Sequence, residues 1–315
     1  MTFLFRFLFS LLLALGVAAQ SVQRFDVAIG GADDVCVLTL PIPTWNVEFP
    51  GISHDTNSDI EFLAPRGGGR VLGLVNNLPG VSVVEVRPDL TTAPVVAALA
   101  GHFAEMLVAD ASGNLYIGGR EFMGGRLLAV RADGTLRADF PFSATSIDLA
   151  ADQCTLFYTP ETGGVSRFDV CTGSPLPDFV TGGGTFVKIL PDGGVLTASS
   201  DWTQIVRYDA AGALVRTYDI EFVKVLALGR GGTTFFAATP CDPTVREYDL
   251  ATGSQLRSIT ADMDDVRSLV AYNGWTASLG PFAAAHAAAA VPAISTSMLL
   301  VLGALLALIA FRRLM

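Results

Sequence analysis

In the stretch HDTNSDIEF, four oxygen-bearing side chains, Asp55, Asn57, Asp59 and Glu61, fall at every second position. Oxygen ligands spaced i, i+2, i+4 open the kind of loop that wraps calcium or another hard divalent cation. The remainder of such a loop calls for glycine at its sixth position and a bidentate carboxylate at its twelfth. Ile60 and Arg66 stand there instead. Strict alternation is equally the mark of a strand with one solvated polar face. Both readings stand: a divalent-cation site, or a polar strand face.

The four cysteines offer a second chemistry. Cys154 and Cys171 flank CTLFYTPETGGVSRFDVC, whose midpoint is Thr162-Gly163. If that segment is a hairpin, facing positions on adjacent strands bring the two Cβ atoms within bridging distance, so a disulfide is expected. Cys36 and Cys241 approach each other only if the N-terminal segment lies beside the fifth repeat described below. The sequence has no CxxC spacing and no Cys/His cluster, which leaves a zinc site without support.

His54, His102 and His286 are far apart and lack partners at ligand spacing. The nucleophile elbow GxSxG and the motifs HExxH and SxxK do not occur. RGGGR (66–70) precedes a strand-like run rather than a helix, so a hairpin turn is expected there and not a phosphate cradle.

Charge narrows the partners. Of 20 basic residues, Arg6, Arg312 and Arg313 lie in the two hydrophobic ends, leaving 17 against 30 acidic residues between them, a net charge of −13. A body that acidic repels nucleic acid and anionic headgroups.

The elements that must position these groups repeat. SRFDVCTG, VRYDAAGA and REYDLATG centre on Phe168, Tyr208 and Tyr248, each 40 residues from the next. LAVRADGT around Val130 precedes them by 38, and VEVRPDLT around Val86 by a further 44. In counterpoint runs a second phrase of apolar strand, polar turn and apolar strand, with turn centres at Gly113, Gln153, Gly193, Gly232 and Gly274. A looser copy sits near Gly68. Asp or Asn before Gly supplies the turns, and alternating Val, Leu, Phe and Tyr fill half-buried pleated faces.

A unit of roughly forty residues in four short strands cannot bury its own faces, whereas units arranged around an axis can. Six inner hairpins against five aromatic outer strands predict an all-β, six-bladed β-propeller over 20–282. VQRFDVAIG, with Arg24-Phe25-Asp26 matching Arg167-Phe168-Asp169, would supply the missing strand beside 266–278 and clasp the ring shut. A five-bladed ring, or an open sandwich with an N-terminal cap, is the other arrangement the count allows.

The phrases DQCTLFYT and RFDVCTG resemble those of NHL-type and gluconolactonase-like (SMP-30) propellers. That resemblance implies, as the alternative to a binding or scaffold role, a hydrolase whose metal is held by Glu, Asn and Asp at the channel mouth. Glu61 would take the place of that Glu. The Asn-Gly motifs that carry the other ligands are missing at the matching positions, so binding or scaffolding is favoured over lactone hydrolysis.

Both ends are targeting segments. Residues 1–19 combine Arg6, an apolar run, and Val17 and Ala19 before a cut at Gln20, the layout of a signal for signal peptidase. After an Ala-rich linker (283–290), Val291 to Phe311 spans about 31 Å as a helix and ends in Arg312-Arg313, sufficient for a single-pass anchor with the body outside. Val291-Pro292-Ala293-Ile294-Ser295, the apolar helix and the Arg pair also resemble the IPTL-CTERM and PEP-CTERM sorting signals. That resemblance implies an exosortase-like protease, a Gram-negative-type envelope, and release to the cell surface or an exopolysaccharide matrix. Surface proteins or exopolysaccharide would be the partners there. The family's Trp two residues after the Ser is Ser297 here.

Overall fold

The computed structural model describes residues 27–32, 45–49, 52–55, 60–66, 70–77, 80–87, 92–100, 104–119, 126–199, 201, 203–223, 225–260, 265–271 and 275–281. Strands β1 (Val27–Ala32), β2 (Trp45–Phe49) and β3 (Ile52–Asp55) come first. The next runs are β4 (Ile60–Arg66), β5 (Arg70–Asn77), β6 (Gly80–Val86), β7 (Thr92–Ala100), then β8 (Met106–Ala109), β9 (Leu115–Gly118), β10 (Leu127–Val130), β11 (Leu136–Phe140). They are followed by β12 (Ser146–Leu149), β13 (Thr155–Thr159), β14 (Val165–Asp169), β15 (Ser174–Val180), and by β16 (Lys188–Ile189), β17 (Val195–Ala198), β18 (Ile205–Tyr208), β19 (Leu214–Tyr218). Then come β20 (Val225–Leu228), β21 (Thr234–Ala238), β22 (Thr244–Asp249), β23 (Gln255–Thr260), β24 (Asp265–Ala271), and a short pair, β25 (Trp275–Thr276) and β26 (Gly280–Pro281).

The fold is all-β and propeller-like. Five antiparallel four-stranded sheets, opening with β4, β8, β12, β16 and β20, each take four consecutive strands. These are the repeats read from the sequence. The apolar hairpins form the first two strands of each sheet, and the aromatic phrases form the third.

The turn chemistry also follows the sequence. Asp169, Asp209 and Asp249, each next to the phrase's aromatic residue, cap the following turn. Asp209 Oδ1 accepts from the N–H of Ala211 and Ala213, both at 2.9 Å, and Asp249 Oδ1 from that of Thr252 at 2.7 Å. Between first and second strands, Gly113 and Gly193 have φ of +85° and +80°, as that turn requires. Gln153 occupies the same place at +64° without being glycine.

The core lies between neighbouring sheets rather than within any one. Leu72, Leu74, Leu107 and Ile117 pack the β4 and β8 sheets together, and Leu196, Tyr218, Leu226 and Phe235 pack the β16 and β20 sheets. Tyr218 meets Phe235 edge to face at 5.1 Å, and its Oη donates to the Leu250 carbonyl at 2.6 Å. This sheet-on-sheet burial is what a single repeat cannot provide.

The sixth four-stranded sheet joins the two ends of the described chain in the order β24-β1-β2-β3. β1 lies antiparallel to β24, with Ile29 opposite Leu269 and a bulge between Gly30 and Gly31. The N-terminal region therefore does clasp the last strand, but by a different route from the expected one. It contributes three strands, beginning in second place, and the 266–278 hairpin does not form within that sheet. The edge of β24 that Trp275-Thr276 would occupy is taken by β1, and β25 pairs instead with β26. Residues 24–26 and Gly274 lie outside the described residues.

Candidate functional site

The first strands of successive sheets touch in a closed order: β4, β8, β12, β16, β20, β24 and back to β4. Among the described residues, each leaves one edge toward a central channel with no strand to pair it, so its backbone polar groups need other partners. At two of the junctions polar side chains of the adjacent first strand supply them. Ser146 Oγ accepts from the Val187 N–H at 3.2 Å, and Asp148 Oδ2 from the Ile189 N–H at 2.8 Å, joining β12 to β16. Ser268 Oγ accepts from the N–H of Leu63 and donates to its carbonyl, joining β24 to β4.

Asp148 is 3 % exposed. Its other oxygen accepts from its neighbour Leu149 N–H at 3.0 Å. Burial pushes this carboxyl above the usual range, while the nearby Lys188 ammonium and the two N–H bonds pull the other way.

Inside the ring lies a cavity of about 250 Å³. One wall, from β12 and β16, is polar: Thr145, Ser146, Asp148 and Lys188. The facing walls are apolar, with Phe62, Leu63, Leu107, Leu226 and Leu269. Val108, Asp148 and Lys188 all line it and stand 40 residues apart, at one position of the repeat.

The floor is the β25–β26 hairpin. Thr276, Ser278 and Leu279 face the cavity. Ser278 Oγ donates to the Ala109 carbonyl at 2.8 Å, at the far end of β8, and Gln153 Nε2 donates to the Ser278 carbonyl at 2.8 Å. Ala277 is buried among Phe157, Val165, Val187 and Ile189. β25 also contacts the short turn Arg230–Gly232 after β20. The anchor points at Ala109, Gln153 and Arg230–Gly232 lie where first strands end. At the opposite end Glu105, Thr145 and Phe186, which lead into β8, β12 and β16, line the cavity.

The Cys154–Cys171 disulfide is present, with Cα atoms 5.2 Å apart at the open end of the β13–β14 hairpin, but the register differs by one residue from the expected one: Thr155 pairs with Asp169, and the N–H of Val170, not of Cys171, donates to the Cys154 carbonyl. Cys241 is also disulfide-bonded. Cys36, proposed from the sequence as its partner, lies outside the described residues.

Among the described residues, the one group of three His, Cys, Asp or Glu side chains close enough to hold a metal ion is Cys154, Asp169 and Cys171. The two sulfurs are bonded to each other and are not thiolates. Of the alternating cluster, Asn57 and Asp59 lie outside the described residues, as do the side chains of Asp55 and Glu61. The backbone places Asp55 at the end of β3 and Glu61 in β4, on strands of different sheets. The alternation therefore does not run along one strand. Residues 1–19 and 283–315, with Val291 to Ser295 and the terminal Arg pair, also lie outside. Within the described residues, no helix is long and apolar enough to cross a membrane.

Sequence reasoning passed over Asp148, Lys188 and Ser278. The readable signal was the repeat itself, in which a carboxylate and an amine occupy a first-strand position that carries Val108 one copy earlier.

No family model matches the chain, and no curated protein matches it. Among solved structures, hydrazine synthase of Kuenenia stuttgartiensis is similar over 70% of this chain and 71% of that one, with 14% identity and a TM-score of 0.49.

Proposed function

We propose that the chain is an exported six-bladed β-propeller acting as a binding or scaffold module at the cell surface or in the extracellular matrix. The observation that carries this reading is the closed order of contacts among six first strands, the sixth contributed by a sheet that joins both ends of the described chain. A ring sealed in that way has few free edges and presents one rigid face around one channel, a scaffold suited to binding. The bonded Cys154, Cys171 and Cys241 fit an oxidising compartment.

In this reading signal peptidase removes residues 1–19. The segment from Val291 then holds the precursor in the inner membrane until an exosortase-like protease cuts near Val291–Ser295. Exopolysaccharide or surface proteins are the partners, and the acidic body is kept off nucleic acid. The competing activity is metal-dependent lactone hydrolysis with Glu61 as a ligand, using calcium or another divalent cation.

The test follows the exported chain in a Gram-negative host by intact mass and fractionation. The processed protein is then assayed for sedimentation with isolated exopolysaccharide and for hydrolysis of a sugar lactone with and without calcium. The proposal expects a product shortened by the tail, recovered at the surface or with the matrix, and no turnover. Turnover that requires the metal and is lost in Glu61→Gln would replace it with the enzyme.

A further inference from the structure

The cavity is lined at one end by Thr276, Ser278 and Leu279 and at the other by Glu105, Thr145 and Phe186. What it can hold follows from which polar groups are already used. Both oxygens of Asp148 already accept a backbone N–H group. Glu105 is likewise engaged. Ser278 Oγ gives its hydrogen to the Ala109 carbonyl. Ser146 and Thr276 instead accept, from the N–H groups of Val187 and Leu279, both at 3.2 Å, which leaves each hydroxyl its own hydrogen to donate. Lys188 brings an ammonium with three donors and no acceptor. It is the basic side chain of the lining, half-buried and set beside Asp148. The Lys188 ammonium and the hydroxyl hydrogens of Ser146 and Thr276 therefore put donors on one wall and at one end of the cavity, with apolar side chains opposite.

Volume limits the body of the ligand. An apolar cavity of roughly 150 Å³ accepts benzene, so about 250 Å³ accommodates a single ring with a small head group.

We propose that the channel is a binding site for a compact molecule with a ring-sized apolar body and a hydrogen-bond-accepting head, a carboxylate or a neutral carbonyl, held by Lys188 with Ser146 and Thr276. The body lies against Leu63, Leu107, Leu226 and Leu269. The nearby Asp148 carboxyl shares the wall with Lys188, so a neutral carbonyl and a carboxylate share the same seat. An amine head does not, because it would meet the Lys188 ammonium at that seat. This inference rests on the binding-module reading and names what its channel takes.

The experiment titrates the purified exported chain with benzoate, benzamide and benzylamine, read by calorimetry and by thermal shift. The concentrations run to about 10 mM, enough to fill even a millimolar site. Benzoate or benzamide should bind saturably and raise Tm, while benzylamine should not. Benzoate alone binding assigns an anionic ligand, and equal binding of both assigns a neutral carbonyl. Lys188→Met should weaken binding at least tenfold, and Thr276→Val severalfold. The second variant keeps the test open if the first does not fold. Absence of binding by both acceptors, equal binding of benzylamine, or undiminished binding in both variants would overturn the site. Surface or matrix attachment that persists without acceptor binding would overturn the channel site alone and leave the binding module standing.

Discussion

Gln153 donates its side-chain Nε2 to the backbone carbonyl of Ser278, 2.8 Å away and 125 residues along the chain. The same amide accepts from the Ala111 N–H at 2.7 Å, so one side chain ties the β12–β13 turn to the β8–β9 turn and to the channel floor. It does this from a left-handed backbone conformation that costs a non-glycine residue roughly 1 kcal/mol or more. The strain is offset by bonds that a glycine cannot make.

Two substitutions at this position separate those effects. Gln153→Ala keeps the strain and loses both bonds, whereas Gln153→Gly loses the bonds and relieves the strain. Urea unfolding should rank wild type above the glycine variant and the glycine variant above the alanine, the last gap being about 1 kcal/mol. Alanine matching wild type would mean that the latch contributes nothing to the floor.

The disulfide should stabilise the β13–β14 hairpin by constraining the unfolded chain. Closing a loop with a sequence separation of 17 corresponds to about 3 kcal/mol. Replacing both Cys154 and Cys171 by Ser should lower the unfolding midpoint accordingly. Non-reducing peptide mapping of the wild type should recover that bridge, and free thiols at both positions would contradict it.

Acid should weaken the fold through its turns. Thr135 side-chain and backbone bonds hold Asp133 below the usual carboxylate range, and the backbone N–H of Thr172 and of Thr252 does the same for Asp169 and Asp249. A depressed folded-state pKa contributes stability that is present above the unfolded value, near 3.9, and is lost as pH falls through the folded value. Urea midpoints should therefore hold at neutral pH and fall steeply below about pH 4. Asp249→Asn should flatten that fall, and an unchanged slope would exclude the turn caps as its source.

Much of this architecture is legible in the chain because the turns repeat. Asp169, Asp209 and Asp249 follow the aromatic of each phrase, and each caps the N–H two residues on. Even Gln153, which lacks the glycine of its counterparts, is found by spacing alone. The end of the ring is less legible. VAYNGWTAS reads as one more hairpin, and nothing local shows that β1 has already taken the edge of β24. That outcome depends on pairing between Val27–Ala32 and Asp265–Ala271, more than 200 residues apart, which short-range turn chemistry does not encode. The polar residues of the channel are obscured for the same reason. Ser146 and Asp148 sit in a run that reads as an ordinary strand, and their role appears only when the unpaired edge of β16 is set beside them.

The central claim is that the ring closes by pairing the two ends of the described chain, with Ile29 opposite Leu269. Its most direct test is a chain carrying Ile29→Cys and Leu269→Cys, exported without reductant and mapped by non-reducing mass spectrometry. Residues directly opposite on antiparallel strands lie within disulfide reach. The account predicts a peptide pair joined through positions 29 and 269 in soluble, folded protein. Full alkylation of both introduced thiols in protein that is equally soluble and folded would contradict it.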